Sequence, residues 1–372
     1  MPGCLAADSV SGPRGDLLAR ESEDQDRRPS RGWVRRWTRR LAIALLVLVL
    51  AVTLAAFVFD LATSDDEQPA GLLYPGPFVR VEGTLLAYRR WGNAGSPLVL
   101  LGGAAEPSWV WHEVGPILAR AGHRVFALDL PPFGYSQRHG PYTMGRWLDL
   151  LRGFERRRHI LRPVLVGHSL GAGVAVAAAL ANPHDVSGVV LLDGDALAFG
   201  GDHRWLADLL VYPYYTAVYR LITGSDWIVG RVFRSAWGPN PPDPNHATLA
   251  QFERPFRVQG TQAALPQLLA NGVPGLTLIQ LGHLHVPRAV IWGADDNVDS
   301  LESGRTTAAA LHTRLQTIQG AGHLSMLARP HATASRILHF AAALIDAKRH
   351  ARLRRRHHLS GPTLPGHSSG GE

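Results

Sequence analysis

One stretch, "PVLVGHSLGAGVAVAAALAN" from Pro163 to Asn182, limits the fold of this chain more than any other. A short apolar run suited to a buried strand gives way at Gly167, and an alanine-rich segment suited to a helix packed closely on a sheet begins at Leu170. Between them stands one hydroxyl, Ser169, inside a Gly-x-Ser-x-Gly pattern. Strand, sharp turn and helix in that order place the serine at the carboxyl end of a sheet, beside helix-terminal amides that can stabilise an oxyanion. Such a turn holds its serine in a strained backbone conformation costing on the order of 1–3 kcal/mol. Gly167 and Gly171 leave room for the close approach of strand and helix. Composition alone produces the pattern roughly 0.2 times in a chain like this, so its structural context decides. A second match, "GHSSG" at Gly366 to Gly370, has no strand before it and no helix after it, and is a coincidence of composition.

The surrounding sequence repeats the theme. Apolar runs suited to strands occur at Phe78–Val81, Leu85–Tyr88, Leu98–Leu101, Val125–Leu128, Val164–Val166, Val189–Leu192, Ala289–Trp292 and Arg314–Ile318. The first two flank a short turn at Glu82–Gly83–Thr84 and read as a hairpin. Later runs alternate with helix-length segments, which predicts an α/β fold: a mostly parallel eight-stranded sheet with helices on both faces. Between Asp195 and His285 the rhythm breaks. Aromatic-rich helical stretches and the loop "GPNPPDPN" fill that interval, which predicts an all-helical cap inserted over residues 195–285. Its Tyr and Trp residues suit either the cap's own core or the lining of an apolar substrate pocket.

A serine hydroxyl is a poor nucleophile near neutral pH and needs a base, which in turn needs an orienting acid. His323, in "IQGAGHLSML", follows the last strand in a Gly-rich loop. The loop "AVIWGADDNV" after the preceding strand offers Asp295 and Asp296. The order Ser169, Asp296, His323 is that of a catalytic triad on this kind of sheet.

Five landmarks in order carry a resemblance: "LLGGAAEPSWVW", "ALDLPPFGYS", "VGHSLGAG", "VIWGADD" and "GAGH". With them the chain, from about Pro77 to Ala347, resembles the α/β-hydrolase fold family in its serine-nucleophile subgroup with a helical cap. The resemblance implies Asp296, three residues after the glycine of "WG", as the acid, with Asp295 outside the triad. It also offers Asp193, at the end of the sixth strand, as an alternative acid. Oxyanion amides would come from Leu170, after the nucleophile, and from Ala104. The chain departs from the family pattern at Gly102-Gly103, where His-Gly is frequent. A backbone donor needs no particular side chain, and Ala104 replaces a residue that is often aromatic, leaving space beside the acyl site. Serine at the elbow separates the chain from relatives with an aspartate nucleophile, the haloalkane dehalogenases and epoxide hydrolases.

The N-terminal part has a different character. Residues 1–40 are rich in Gly, Pro, Ser, acids and arginines and suggest a disordered cytoplasmic leader. "LAIALLVLVLAVTLAAFVF", Leu41 to Phe59, then runs without charge, Pro or Gly; as a helix it would be roughly 28 Å long, close to the bilayer's hydrocarbon thickness. Arginines from Arg27 to Arg40 precede it, while Asp60, Asp65, Asp66 and Glu67 follow. This asymmetry predicts a single-pass cell-membrane anchor over 41–59, N-terminus cytoplasmic and the hydrolase domain extracytoplasmic. Trp33 and Trp37 suit the interface. A cleaved signal peptide is the alternative, but its apolar core would be shorter and followed by a small-residue cleavage site. "TRRLAI" also resembles a twin-arginine export signal, except that Ala42 stands where a bulky apolar residue is usual. Residues 60–76 read as a linker, 77–347 as the hydrolase domain, and 348–372 as a disordered tail, basic and then rich in Gly, Ser and Pro.

The formal charge of +8 sits mostly in the two terminal clusters, outside the patterned middle, so nucleic acid is not an expected partner. The single cysteine, Cys4, excludes an intrachain disulfide and a cysteine metal cluster. No cofactor or metal is called for. The expected reaction is acyl transfer from a small-molecule ester or lipid-like substrate. An acyltransferase or cofactor-free perhydrolase would use the same triad, and a catalytically silent membrane-tethered ligand-binding protein would keep only the fold. The basic tail suits an anionic partner or a solvated end, and nothing in the sequence speaks to oligomeric state.

Overall fold

The computed structural model describes residues 31–63, 67–197, 211–271 and 275–359. The second serine motif, most of the N-terminal leader, the stretch from residue 198 to 210 and the last thirteen residues lie outside them. Two compact units divide the chain, one ending at Val58 and the other running from Phe59.

The second unit is built on one sheet whose strands are β1 (Phe78–Val81), β2 (Thr84–Trp91), β3 (Pro97–Leu101), β4 (Arg124–Leu128), β5 (Val164–His168), β6 (Gly188–Leu192), β7 (Arg288–Gly293) and β8 (Leu315–Ile318). Their order is β1-β2-β4-β3-β5-β6-β7-β8. β1 and β2 form the expected hairpin, with Val81 opposite Thr84, and β2 runs antiparallel to β4. Every other pairing is parallel. The apolar runs are continuous because both faces are covered. Val99, Leu101, Leu165, Val189, Leu191 and Val290 pack on one side, in a core shared with helices Met144–Arg157 and Leu170–Ala181. Leu98, Leu100, Val166, Val190, Leu192 and Ile291 pack on the other, with Val114 and Leu118 of one helix and Ala334 and Ile337 of another.

The helix Leu170–Ala181 rides close to the sheet. Its residues from Gly171 to Ala179 are all buried, and a Cβ placed on Gly167 would lie 2.2 Å from the Gly171 carbonyl oxygen. Glycine is therefore required there by space. Gly167→Ala must push helix from strand, and we expect a loss of about 2–3 kcal/mol or more in unfolding free energy, read from urea titration.

Helices Tyr214–Thr223, Asp226–Trp237, His246–Glu253, Thr261–Asn271 and Leu278–Gly282 lie between β6 and β7. Ser225, Asn245 and Thr277 each cap a helix by accepting from a backbone N–H in its first turn, so polar loop residues set these boundaries.

Three boundaries differ from expectation. The N-terminal helix runs Arg31–Ala62 and so takes in ten residues read as disordered. The C-terminal helix runs Pro330–Leu359, twelve residues beyond Ala347. In both cases charged but helix-compatible residues carry the helix past the stretch that hydropathy marks out. The linker also departs from its expected character. The Gln68 N–H donates to the Arg257 carbonyl at 2.8 Å, its own carbonyl accepts from Gln259 N–H at 2.9 Å, and the buried Tyr74 stacks on Tyr135 at 5.0 Å between centroids. Residues 67–76 are thus packed on the domain. Among the described residues, one helix, Gly32–Ala62, is long and apolar enough to cross a membrane by length and composition.

Candidate active site

Ser169 immediately precedes the helix after β5 with φ 48° and ψ −121°, a positive-φ backbone conformation rare for a residue with a Cβ. The surroundings over-determine that strain. Ser169 N–H donates to Leu192 O at 3.0 Å, and the Ser169 carbonyl accepts from Ala172 N–H at 2.9 Å. A Cβ on Gly194 would come within 2.5 Å of the Ser169 carbonyl oxygen, so the turn after β6 presses directly on the elbow. The serine hydroxyl makes no capping bond to its own helix and is half-buried.

Because β5, β6, β7 and β8 are neighbours and parallel, the loops that follow them emerge at one edge of the sheet. His323 Nδ1 lies 2.8 Å from Asp296 Oδ2, and both side chains are buried. The other oxygen, Oδ1, accepts from Val298 N–H at 2.9 Å and Asp299 N–H at 3.0 Å, which fixes the carboxylate. A carboxylate accepts only, so Nδ1 carries the proton and Nε2 is free to act as a base. Asp295 faces solvent and contributes only its backbone, donating to Ala321 O at 2.9 Å. The loops after β7 and β8 touch so closely that a Cβ on Gly293 would meet Gly322 O at 2.2 Å.

The His323 loop is also clasped from the cap. Gly322 N–H donates to Trp237 O at 2.8 Å, and Leu324 N–H to Ala236 O at 3.0 Å. Among the described cap aromatics, Phe233, Trp237 and Phe252 pack on one another, and Phe252 meets Trp109 of the loop after β3. That arrangement serves the cap's own core and its seat on the domain.

Ala104 occupies an exposed turn after β3, and Leu170 is the first residue of its helix, where N–H groups lack helical acceptors. The preceding Gly103 lies against Ser169: a Cβ there would be 2.9 Å from Ser169 Cβ. The alternative acid Asp193 is engaged elsewhere. Its Oδ1 accepts from Gly293 N–H at 2.6 Å, and its Oδ2 takes a short bond from the Ser325 hydroxyl. Burial pushes its carboxyl up to about 7, against the lowering charge of His168.

Residues 96–330, more than half of the chain, match the family model described as alpha/beta hydrolase fold. The chain belongs to the α/β-hydrolase fold family. Among curated relatives, an uncharacterized hydrolase, YugF of Bacillus subtilis, is 26% identical over 70% of this chain and 95% of its own length. Among solved structures, a membrane phospholipase A described as a bacterial virulence factor superposes with a TM-score of 0.59 at 21% identity, covering 83% of this chain and 99% of that one. A thermophilic esterase from Thermogutta terrifontis does so with a TM-score of 0.60 at 20% identity, covering 72% and 99%. The eight-stranded sheet and its helices have the architecture of this α/β-hydrolase family.

Two groups of buried side chains escape a reading by motif. Asp129, at the end of β4, holds the loop after β3 through Ser108 N–H at 2.5 Å and its own loop through Tyr135 N–H at 2.8 Å. Burial lifts this carboxyl to about 6. Glu106 and His168 form the second group, with Glu106 Oε2 2.8 Å from His168 Nδ1. The signal was present in the sequence as an acid inside an otherwise apolar loop and a histidine ending a buried strand.

Proposed function

We propose that this α/β-hydrolase is a membrane-anchored serine hydrolase that cleaves carboxylic esters, or related acyl compounds with an apolar group, through a covalent acyl-enzyme. The observation that carries the reading is the placement of a strained, half-buried Ser169 and the buried His323–Asp296 couple at the same end of the sheet. His323 Nε2 removes the hydroxyl proton as Ser169 Oγ attacks the acyl carbon. The tetrahedral oxyanion is met by the amides of Leu170 and Ala104. As the intermediate collapses, His323 returns the proton to the leaving alcohol and the acyl group stays on Ser169. Water, deprotonated by the same imidazole, then releases the acid.

The membrane part of the proposal rests on the apolar helix, with arginines on its N-terminal side and acids after it. That polarity supports a cytoplasmic N-terminus and an extracytoplasmic hydrolase unit. The likeness to a membrane phospholipase A favours lipid-like esters as substrates. Full-length protein in detergent, assayed on nitrophenyl esters of two to twelve acyl carbons, is expected to turn over and to prefer the longer, apolar chains. A preparation that binds these esters but hydrolyses none of them contradicts the proposal.

A further inference from the structure

Two side chains beside the nucleophile have no task in the reaction just described. Glu106 Oε2 accepts from the Gly103 N–H at 2.7 Å and from His168 Nδ1 at 2.8 Å. His168 Nε2 in turn donates to the His323 carbonyl at 2.8 Å. Both partners of the ring are acceptors only, so His168 carries both protons and is an imidazolium. Its side chain is fully buried and that of Glu106 is 9% exposed. Burial alone would push the imidazole down, but the Glu106 carboxylate more than reverses this and raises it to about 9. Burial likewise works to raise Glu106, and the charge of His168 overrides it and holds the carboxyl below its ordinary range. The other titratable groups facing the ring are Asp193, with Oδ2 3.9 Å from Nε2, and the His323 ring, 4.8 Å away between centroids.

A buried ion pair is expensive to desolvate and is poor evidence of stability by itself. Its placement points to another use. Gly102-Gly103 gives the loop after β3 two residues without side chains, immediately before the Ala104 amide. Glu106 ties the peptide that enters this turn, and through His168 it ties the turn to the backbone of His323.

We infer that Glu106 and His168 are positioning residues, a buried carboxylate–imidazolium strut that holds the oxyanion loop in register with the loop carrying the general base. The inference rests on the roles proposed for Ser169, Ala104 and His323. The strut makes no hydrogen bond to a reacting atom, and acts through the Gly103 peptide and the His323 carbonyl. Its effect should be large, because a displacement of about 1 Å in such a site can cost about 10²-fold in rate.

The test uses full-length Glu106→Gln, His168→Gln and the double variant, with kcat/KM measured against pH and unfolding measured in parallel. A glutamine at 106 can keep its amide oxygen on both donors but brings no charge to balance the buried imidazolium, so each single variant should lose about 10- to 100-fold in kcat/KM, mostly in kcat. The double variant should lose no more than the poorer single one, because the pair works as a unit. Wild-type kcat/KM should decline as pH rises through about 9, where His168 gives up its second proton, and this limb should be absent in His168→Gln. Rates that follow only the folded fraction, with the alkaline limb unchanged, would overturn the inference. If a single variant does not fold, the double variant decides: folded and as active as wild type, it overturns the strut. Wild-type protein that takes no fluorophosphonate and hydrolyses no ester removes the proposed triad roles, and the inference falls with them. Active wild type beside unaffected variants sinks the strut alone.

Discussion

Replacing Ser169 by alanine is expected to lower kcat by about 10⁴- to 10⁶-fold while leaving KM and the melting temperature nearly unchanged. The structure separates the chemistry from the fold at this position. The serine hydroxyl makes no capping bond, and the strain at φ 48° belongs to the backbone, which alanine shares. The contacts that enforce it, to Leu192, Ala172 and Gly194, are all made by main-chain atoms. Among the described residues no hydrogen bond uses Oγ, so stability should stay within about 0.5–1 kcal/mol of wild type. Residual activity above the uncatalysed rate is expected, since the Leu170 and Ala104 amides proposed for the oxyanion survive. A variant that lost activity only because it had unfolded would show the opposite pattern, and thermal denaturation beside the rate assay separates the two.

Asp296→Asn should cost about 10⁴-fold in kcat, and the reason lies in which way the new amide must point. Val298 and Asp299 N–H both donate to Oδ1, so the amide oxygen of an asparagine is required on that side. The NH₂ group is then forced toward His323 Nδ1, where the carboxylate oxygen had been at 2.8 Å. A donor there demands the tautomer with Nε2 protonated, which cannot take a proton from Ser169. The site keeps its shape and loses its base. Asp295→Asn is the control: that side chain is exposed and touches neither loop partner, so activity should stay within a factor of about two, as for other surface substitutions. Equal losses at the two positions, in a kinetic comparison of folded protein, would show that the acid had been assigned wrongly.

Much of this architecture was legible in the residues. The strands were readable to within a few residues because each is an apolar run covered on both faces, a requirement that leaves almost no freedom in residue type. The strand and helix expected on either side of Ser169 are both present, as its Gly-rich turn required. Helix ends were harder. The helices starting at Arg31 and ending at Leu359 extend through charged residues that hydropathy discounts and helix propensity does not. The packing of Gln68 and Tyr74 was hidden because a short segment docking on a distant loop has no periodicity to betray it. The Glu106–His168 pair was hidden for a related reason. Sixty-two positions separate the partners, and only the parallel neighbours β3 and β5 bring their ends together.

The most direct measurement is to treat the full-length protein with a fluorophosphonate and locate the adduct by peptide mass spectrometry. A nucleophile activated by His323 should carry the phosphonyl group on the peptide containing Ser169, and the adduct should disappear in His323→Ala. A folded wild-type protein with no adduct, or with one on any other serine, would contradict the assignment of Ser169 as the nucleophile.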